Sequence, residues 1–393
     1  MRRRRLLQGS GVLLVALAGG AVWRARSQGV FSVGEGPAYA PWDDWREDMA
    51  EGPLALVRAA ILAASPHNTQ PWRFRVSASR IELLADPARS LGVFDPFSRE
   101  AFLGLGCAIE NMLVAAPAAG FAVRLDTPPG RLEGPLHGEA TRVATLDLEP
   151  VAATPSALAA YIATRHTNRG PYQRERALSP ESLAAIPPLL EGLEGISVVL
   201  ISDAEPRDAL GQEIVACTEA LVADAEAMAA SDAWFRGNWQ ALQRHRDGVT
   251  LDAAGMEEFP GAVAKMLPVL PAALAHRSWI ESTREVHTAT APLLGMLTVP
   301  DLRDRVQALR AGRAWQRIHL WATARGIAMQ PLNQPLEVVD REELLGRAPA
   351  TARRLAGFVG DPARRPTMCF RAGYPVRAAK RSPRRPLEWC LLS

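Results

Sequence analysis

Lysine is nearly absent from this 393-residue chain, occurring only as Lys265 and Lys380. Any anion site must therefore be built from arginine. Aromatic residues make up only 6%, and the four cysteines (Cys107, Cys217, Cys369, Cys390) are scattered. With no C-x-x-C and no histidine pair nearby, they exclude a structural zinc or iron–sulfur site, while their spacing leaves their redox state open. No G-x-G-x-x-G follows a strand pattern and no G-x-S-x-G elbow occurs, so neither a Rossmann nicotinamide domain nor an α/β-hydrolase is indicated. His245 and Asp247 do not form a convincing dyad. The net charge of +3 comes from Arg2, Arg3, Arg4, Arg5, Arg24 and Arg26, which no acid accompanies. The remaining body is near neutral and lacks the concentrated basic face that nucleic acid requires.

Long apolar runs are missing too. Gly9 to Val22 is short and interrupted by glycine, which makes a poor transmembrane helix. Preceded by Arg3-Arg4-Arg5-Leu6-Leu7-Gln8, it resembles a twin-arginine export leader, expected over residues 1–26. No clean A-x-A site precedes Arg24 and Arg26, so an uncleaved N-terminal membrane anchor stays open. Both readings place the protein on the periplasmic side. An ordinary basic helix start is the alternative.

Two polar motifs carry the functional reading. Ser65-Pro66-His67-Asn68-Thr69-Gln70-Pro71-Trp72 sets side-chain amides and backbone N–H groups beside proline. Such a turn suits the carbonyl and N–H edge of a flavin ring, through Asn68 and Gln70. Much later, Arg165-His166-Thr167-Asn168-Arg169 places two guanidinium groups around a hydroxyl and an amide. Closely spaced arginines suit phosphate, whose oxygens guanidinium binds bidentately. Each motif has a plain alternative, a polar turn for the first and a solvated helix face for the second. His67 and Trp72 read as packing residues, Arg99-Glu100 as a structural ion pair, and His276 and His319 as helix-face residues.

Around these motifs the pattern is α+β, with helices packed on a central sheet. Leu54 to Ala64 reads as a helix ended by Ser65-Pro66, followed by a hairpin of Trp72 to Val76 and Ile81 to Ala85. Ala101 to Ala119 reads as a small-residue helix, and Val143 to Leu148, Val198 to Ser202 and Met368 to Ala372 as strands. Gly106 and Gly120 are spaced as Gly312 and Gly326 are, with Glu110-Asn111 in the first interval and Gln316-Arg317 at the matching place in the second. Each interval reads as a helix closed by glycine and followed by an extended run, Phe121 to Leu125 and Ile327 to Met329. Chance in an alanine-rich chain is one explanation. The other is two related halves, 51–150 and 155–393, fused as an intramolecular pseudo-dimer after a linker at 27–50. Residues 203–298 read as a helical insertion with few strand signals. It is either a lid or an added helical layer, with Trp234, Phe235, Trp239 and Trp279 available to stack on a planar ring.

With these pieces assembled, residues 40–393 resemble the nitroreductase superfamily, and within it the Acg-type FMN-binding oxidoreductases. Ser65 to Trp72 matches that family's P-S-x-x-N-x-Q-P-W segment, with Ser65-Pro66-His67 replacing its opening. Arg165, Thr167 and Arg169 fall on the arginine, hydroxyl and arginine of its R-R-S-x-R segment. Gly326 to Leu332 resembles the family's helix-to-strand passage over the flavin, and Arg371 through Arg384-Arg385 its terminal basic phosphate contact. The resemblance implies a nitroreductase-like fold. It also implies FMN held by Ser65, Pro66, His67, Asn68, Gln70, Arg165, Thr167, Asn168, Arg169, Gln330, Pro331, Leu332, Arg384 and Arg385. In the implied ping-pong cycle, a small-molecule donor such as NAD(P)H delivers hydride to flavin N5, and a nitro compound or quinone collects it. No side-chain nucleophile or metal takes part. A rival reading also follows, because Acg-type members resemble nitroreductases with a lidded pocket, in which FMN is sequestered with little or no turnover. The first half carries the amide motif and the second the arginine cluster. One FMN per monomeric pseudo-dimer is therefore expected, at the seam, with a dead symmetry mate. An export route that carries folded proteins suits a chain that encloses its cofactor. A third reading, a cofactor-free helical interaction protein, predicts colourless material.

Overall fold

The structure, a computed structural model, describes residues 20–47, 52–267 and 271–392. The twin-arginine stretch, Arg3 to Gln8, lies outside them. In the first half, helix α1 (Pro53–Ile61) precedes a tight hairpin of strands β1 (Trp72–Ser77) and β2 (Arg80–Ala85), with Ser77 paired to Arg80 across a two-residue turn. Helix α2 (Arg99–Ala115), strand β3 (Phe121–Asp126) and strand β4 (Thr141–Pro150) follow, and the antiparallel sheet runs β1-β2-β4-β3.

The second half repeats this plan. Strand β5 (Ser197–Ile201), a long insertion with helix α3 (Ala204–Val222) at its start, strand β6 (Leu293–Val299), helix α4 (Arg305–Thr323), strand β7 (Ala328–Pro331), helix α5 (Gln334–Leu344) and strand β8 (Arg365–Gly373) give a second antiparallel sheet, β5-β6-β8-β7. The fold is α+β, but its sheet is divided into two of four strands, one per half. The insertion replaces what is a two-residue hairpin turn in the first half.

The pseudo-symmetry extends to single atoms. One sequence offset relates Gly106 to Gly312, Leu103 to Leu309 and Gly120 to Gly326. Helices α2 and α4 cross so closely that a side chain on Gly106 would strike the Leu309 carbonyl, and one on Gly312 the Leu103 carbonyl. Both helices run into a left-handed glycine, Gly120 and Gly326. The next residue then bonds back at an equivalent place, Phe121 N–H to the Ala116 carbonyl and Ile327 N–H to the Ala322 carbonyl, each 2.9 Å. Residues singled out by the sequence repeat bond across the crossing. Arg317 and Arg313 donate to Glu110 (2.6 and 2.9 Å), and Gln316 donates to Asn111 (2.7 Å). The same patch thus meets itself, as in an isologous dimer interface.

Two expectations need correction. The stretch 27–50 is not a loose linker: helix Ala40–Glu47 lies within it, and Tyr39, Trp42 and Trp45 are buried in the main hydrophobic cluster. The helical insertion read as 203–298 overlaps β6, a fully buried strand at the middle of the second sheet. Its run of Leu293 to Val299 shows no alternation because both faces are covered, and Gly295 sits where the Phe370 ring packs. The expected Arg99–Glu100 ion pair is present and buried (3.7 Å), and Arg99 also bonds to Asp340 on α5 (2.8 Å), across the two halves.

Candidate functional site

The turn after α1 holds an unusual backbone. His67, Asn68 and Gln70 all adopt positive φ (45°, 54° and 55°), although none is glycine. Left-handed geometry costs a residue with a side chain on the order of 1 kcal/mol, and persists only where surrounding bonds enforce it. Here they do. The Asn68 amide donates to the Gly248 and Pro383 carbonyls (3.2 and 2.9 Å), and its oxygen accepts from Arg384 (2.6 Å). Gln70 donates its side-chain amide to the Arg246 carbonyl (2.9 Å), accepts from Arg385 N–H (2.8 Å), and donates its own backbone N–H to the Ser65 hydroxyl oxygen (3.1 Å). Pro66 and Ser65 rest on Gly104 of α2, where a side chain would crowd them at 3.0–3.3 Å.

Beside this turn lie buried guanidinium groups with no acid near them. Among the described residues, no carboxylate lies within ion-pair distance of Arg165, Arg169, Arg371 or Arg384. Arg165, 1% exposed, donates to the Leu62 carbonyl (3.1 Å) and approaches the His319 ring (3.4 Å), and its Nε has no partner. Arg384 meets the same Leu62 carbonyl (3.4 Å) and that of Ala63 (3.1 Å), and its Nε is likewise unpartnered. Burial, with Arg165 alongside, holds Arg384 well below the ordinary arginine range, and burial draws Arg165 down to about 10. His166 and His319 are also held far below 6.5, first by burial and then by these arginines, so neither adds a cation. Trp42 closes the group, with Arg384 over its ring (4.6 Å) and His166 at its edge (4.5 Å).

The remaining sequence-derived residues divide. Thr167 is half-buried between the two motif arginines. Arg169 donates to the Ala253 carbonyl (3.0 Å) of the insertion. The Asn168 side chain is spent on Arg377 and Gly170 (2.7 and 2.9 Å). Arg385 turns away from the guanidinium cluster to clamp the Gln70 carbonyl (3.1 Å), with Asp86 at 4.0 Å. Gln330 accepts from Arg371 (2.8 Å), whose other end holds the Asn168 and Gly170 carbonyls. Pro331 pairs with Phe370 in the sheet, and Leu332 lies in the second hydrophobic cluster with Leu294 and Met296, not at the guanidinium cluster. His67 is half-buried and drawn down to about 4, chiefly by desolvation and then by Arg169, and its Nε2 meets the Ser231 hydroxyl at 2.9 Å. His319, read from sequence only as a helix-face residue, and Arg371, read only as the start of the terminal basic stretch, both lie among these groups. The available signal was a lone arginine within the otherwise apolar strand Met368-Cys369-Phe370-Arg371-Ala372.

The insertion covers the amide turn. Its Arg246-Asp247-Gly248 loop supplies the carbonyls bonded to Asn68 and Gln70, and Asp247 anchors it to Arg89 (2.6 Å) and Arg236 (2.7 Å). The insertion's aromatics serve elsewhere: Trp234 and Trp279 pack against the cluster around Leu91 and Phe94, while Trp239 lies against Gly29.

The symmetry mate of this site is different chemistry. A cavity of about 300 Å³ is lined there by Leu113, Arg310 and Arg313, at the places that His319, Gly104 and Cys107 hold in the first. Both arginines are neutralised, Arg313 by Glu110 and Arg310 by Glu194. Among the described residues, no group of histidine, cysteine or carboxylate side chains is placed to hold a metal ion.

This geometry meets its relatives in sequence. Over 86% of its length the chain is 26% identical to the Mycobacterium tuberculosis protein named "Putative NAD(P)H nitroreductase Rv3131", of which the match spans 92%. The chain is similar over most of its length to a protein so named. A shorter stretch, 24% of the chain, is 34% identical to the "Putative NAD(P)H nitroreductase acg" of the same organism and spans 27% of that protein. No family model matches the chain. Among solved structures, the FMN-dependent nitroreductase NfnB from Mycobacterium smegmatis in complex with NADPH is 20% identical. The overlap covers 59% of this chain and 96% of that one, with a TM-score of 0.38.

Proposed function

We propose that this nitroreductase-like chain is an FMN-dependent oxidoreductase that takes electrons from NAD(P)H and passes them to a small electron-poor acceptor. The observation that carries the reading is the pair of buried guanidinium groups, Arg165 and Arg384, which share one carbonyl, repel each other and lack a carboxylate. A buried cation without a counter-charge is costly, and a phosphate dianion would supply the missing charge with bidentate geometry. The nucleotide phosphate would be held by these two arginines, with Thr167 and Asn68 beside them. Bound there, FMN would supply two-electron exchange between a nicotinamide and a nitro or quinone acceptor. Once the 246–248 loop releases them, Asn68 and Gln70 would offer their amides to the ring edge from a backbone already held in the left-handed region. His67, half-buried and held neutral, contributes no competing positive charge. Trp42 excludes water from the arginine end.

The mate site, with its arginines already paired to glutamates, favours one flavin per chain. Gently purified protein is expected to be yellow, with an absorbance ratio near one FMN per polypeptide, and to oxidise NADPH when menadione or a nitroaromatic is added. A ratio of two, or colourless protein that FMN does not bind, contradicts the proposal.

A second reading is favoured by the 246–248 loop, which occupies both motif amides. Such a cover would store flavin without turnover. Replacing Asp247 with alanine frees the loop from Arg89 and Arg236. A cover that limits reduction should then allow NADPH to bleach the flavin about tenfold faster, which corresponds to a shift of ~1.4 kcal/mol toward the open form. Stopped-flow absorbance reads this directly. An unchanged rate means that the loop is not the gate.

A further inference from the structure

An apolar stripe runs along the outside of the insertion. Met256, Phe259, Val263 and Leu267 recur at helical spacing on and around the helix Glu258–Met266, and all four are exposed. Beside them, Val22, Trp23 and Phe31 are exposed as well. The three most exposed large apolar side chains among the described residues are Phe259 (79%), Trp23 (71%) and Phe31 (67%). Single exposed apolar residues need no explanation, but a continuous stripe of them does.

The two segments form one surface. Arg24 Nε donates to the Met266 carbonyl (2.5 Å) and Lys265 Nζ to that of Gly29 (3.1 Å). Trp23, Arg24 and Leu267 line one shallow cavity between them. Lys265 also pairs with Asp252 (2.6 Å), which fixes the inward side of the helix and leaves the apolar stripe outward.

We infer that residues 20–31 and the helix Glu258–Met266 form a membrane-docking face that seats the insertion on an anionic lipid interface, whether or not flavin is bound. Charge chooses this occupant. Residues 20–31 contain Arg24 and Arg26 and no acid, and the sequence before them adds Arg2 to Arg5, again with no acid. Tryptophan and phenylalanine favour the headgroup boundary, and nearby arginines add attraction for anionic lipids. Glu258 is the one helix residue of opposing charge, since Glu257 is paired with Arg377 (2.8 Å). No helix of the described residues is long and apolar enough to cross a membrane, so docking here is interfacial.

The four native cysteines are buried, so a Phe259→Cys substitution in the full chain gives one accessible thiol for an environment-sensitive fluorophore. Vesicles of phosphatidylcholine with phosphatidylglycerol should shift its emission to the blue and brighten it several-fold. In flotation, Phe259→Asp with Val263→Asp should reduce vesicle association several-fold, while Val376→Asp, also exposed, leaves it unchanged. A label that ignores vesicles overturns the inference, even if the protein floats by its first residues. So does a label already blue-shifted in buffer, which would mean that the N-terminal residues or a second copy cover the stripe. Light scattering tells these two apart.

Discussion

Replacing Arg165 with methionine is expected to weaken FMN binding by about 10- to 100-fold while making the flavin-free protein more stable. The two effects have opposite signs because they come from one cause. In the flavin-free protein Arg165 is a fully buried cation that repels Arg384, lacks a carboxylate and leaves its Nε unpaired. Methionine fills similar space without the charge, and such replacements gain on the order of 1–3 kcal/mol. The Leu62 carbonyl keeps a donor, since Arg384 also reaches it at 3.4 Å. When phosphate is bound, the same change removes charge-assisted hydrogen bonds worth ~1.5–3 kcal/mol, hence the loss of affinity. Arg384→Met should behave differently. It too should lose flavin, but it strips donors from Asn68 and Ala63 (2.6 and 3.1 Å) and so destabilises the flavin-free form. Fluorescence titration with FMN and urea unfolding of the flavin-free proteins measure both quantities. Wild-type affinity in Arg165→Met, or a less stable flavin-free form, would remove the anion-site assignment.

What could be read from the sequence follows from where local chemistry decides structure. The hairpin at Ser77 to Arg80, the glycine-closed helices and the strand at Met368 to Ala372 are fixed by turn residues and short-range pattern, and they are found near their expected bounds. The repeat was visible because a close helix crossing tolerates only glycine, so Gly106 and Gly312 had to hold matching places. Hidden features were those decided by packing. Strand β6 lacks alternation because the sheet is covered on both faces, and the stretch at 27–50 carries polar and turn-forming residues even though Trp42 and Trp45 are deeply buried. The two polar motifs were legible, but their use was not. Sequence could not show that Arg384 would turn inward and Arg385 toward Gln70, nor that the insertion would spend its backbone on Asn68 and Gln70. Adjacent residues in an extended tail face opposite ways, and which one faces the arginine cluster is decided by what docks against the tail.

Substituting alanine for Gly312 should be the most destabilising single methyl addition among the described residues, together with Gly106→Ala. Each new Cβ would lie against a helix carbonyl of the partner half, Leu103 in one case and Leu309 in the other. A backbone oxygen cannot rotate aside as a side chain can, so the helices must separate. That loosens the part-buried bonds from Arg313 and Arg317 to Glu110 (2.9 and 2.6 Å) and the buried one from Gln316 to Asn111 (2.7 Å), all between the halves. Overpacking alone costs ~1–3 kcal/mol, and disturbing a buried polar network raises the expected loss to ~3–5 kcal/mol, read as a fall in urea midpoint. Because both substitutions force the same separation, the double variant should lose markedly less than the sum of the single variants. Additive losses would mean that each helix yields locally and the crossing does not move as one unit. The same experiment bears on function, since α2 carries Gly104 under the Ser65-Pro66 turn while α4 carries His319 beside Arg165. Helices pushed apart at Gly106 and Gly312 would pull the amide turn from the arginines, so flavin affinity should fall together with stability, with no substituted atom touching the site.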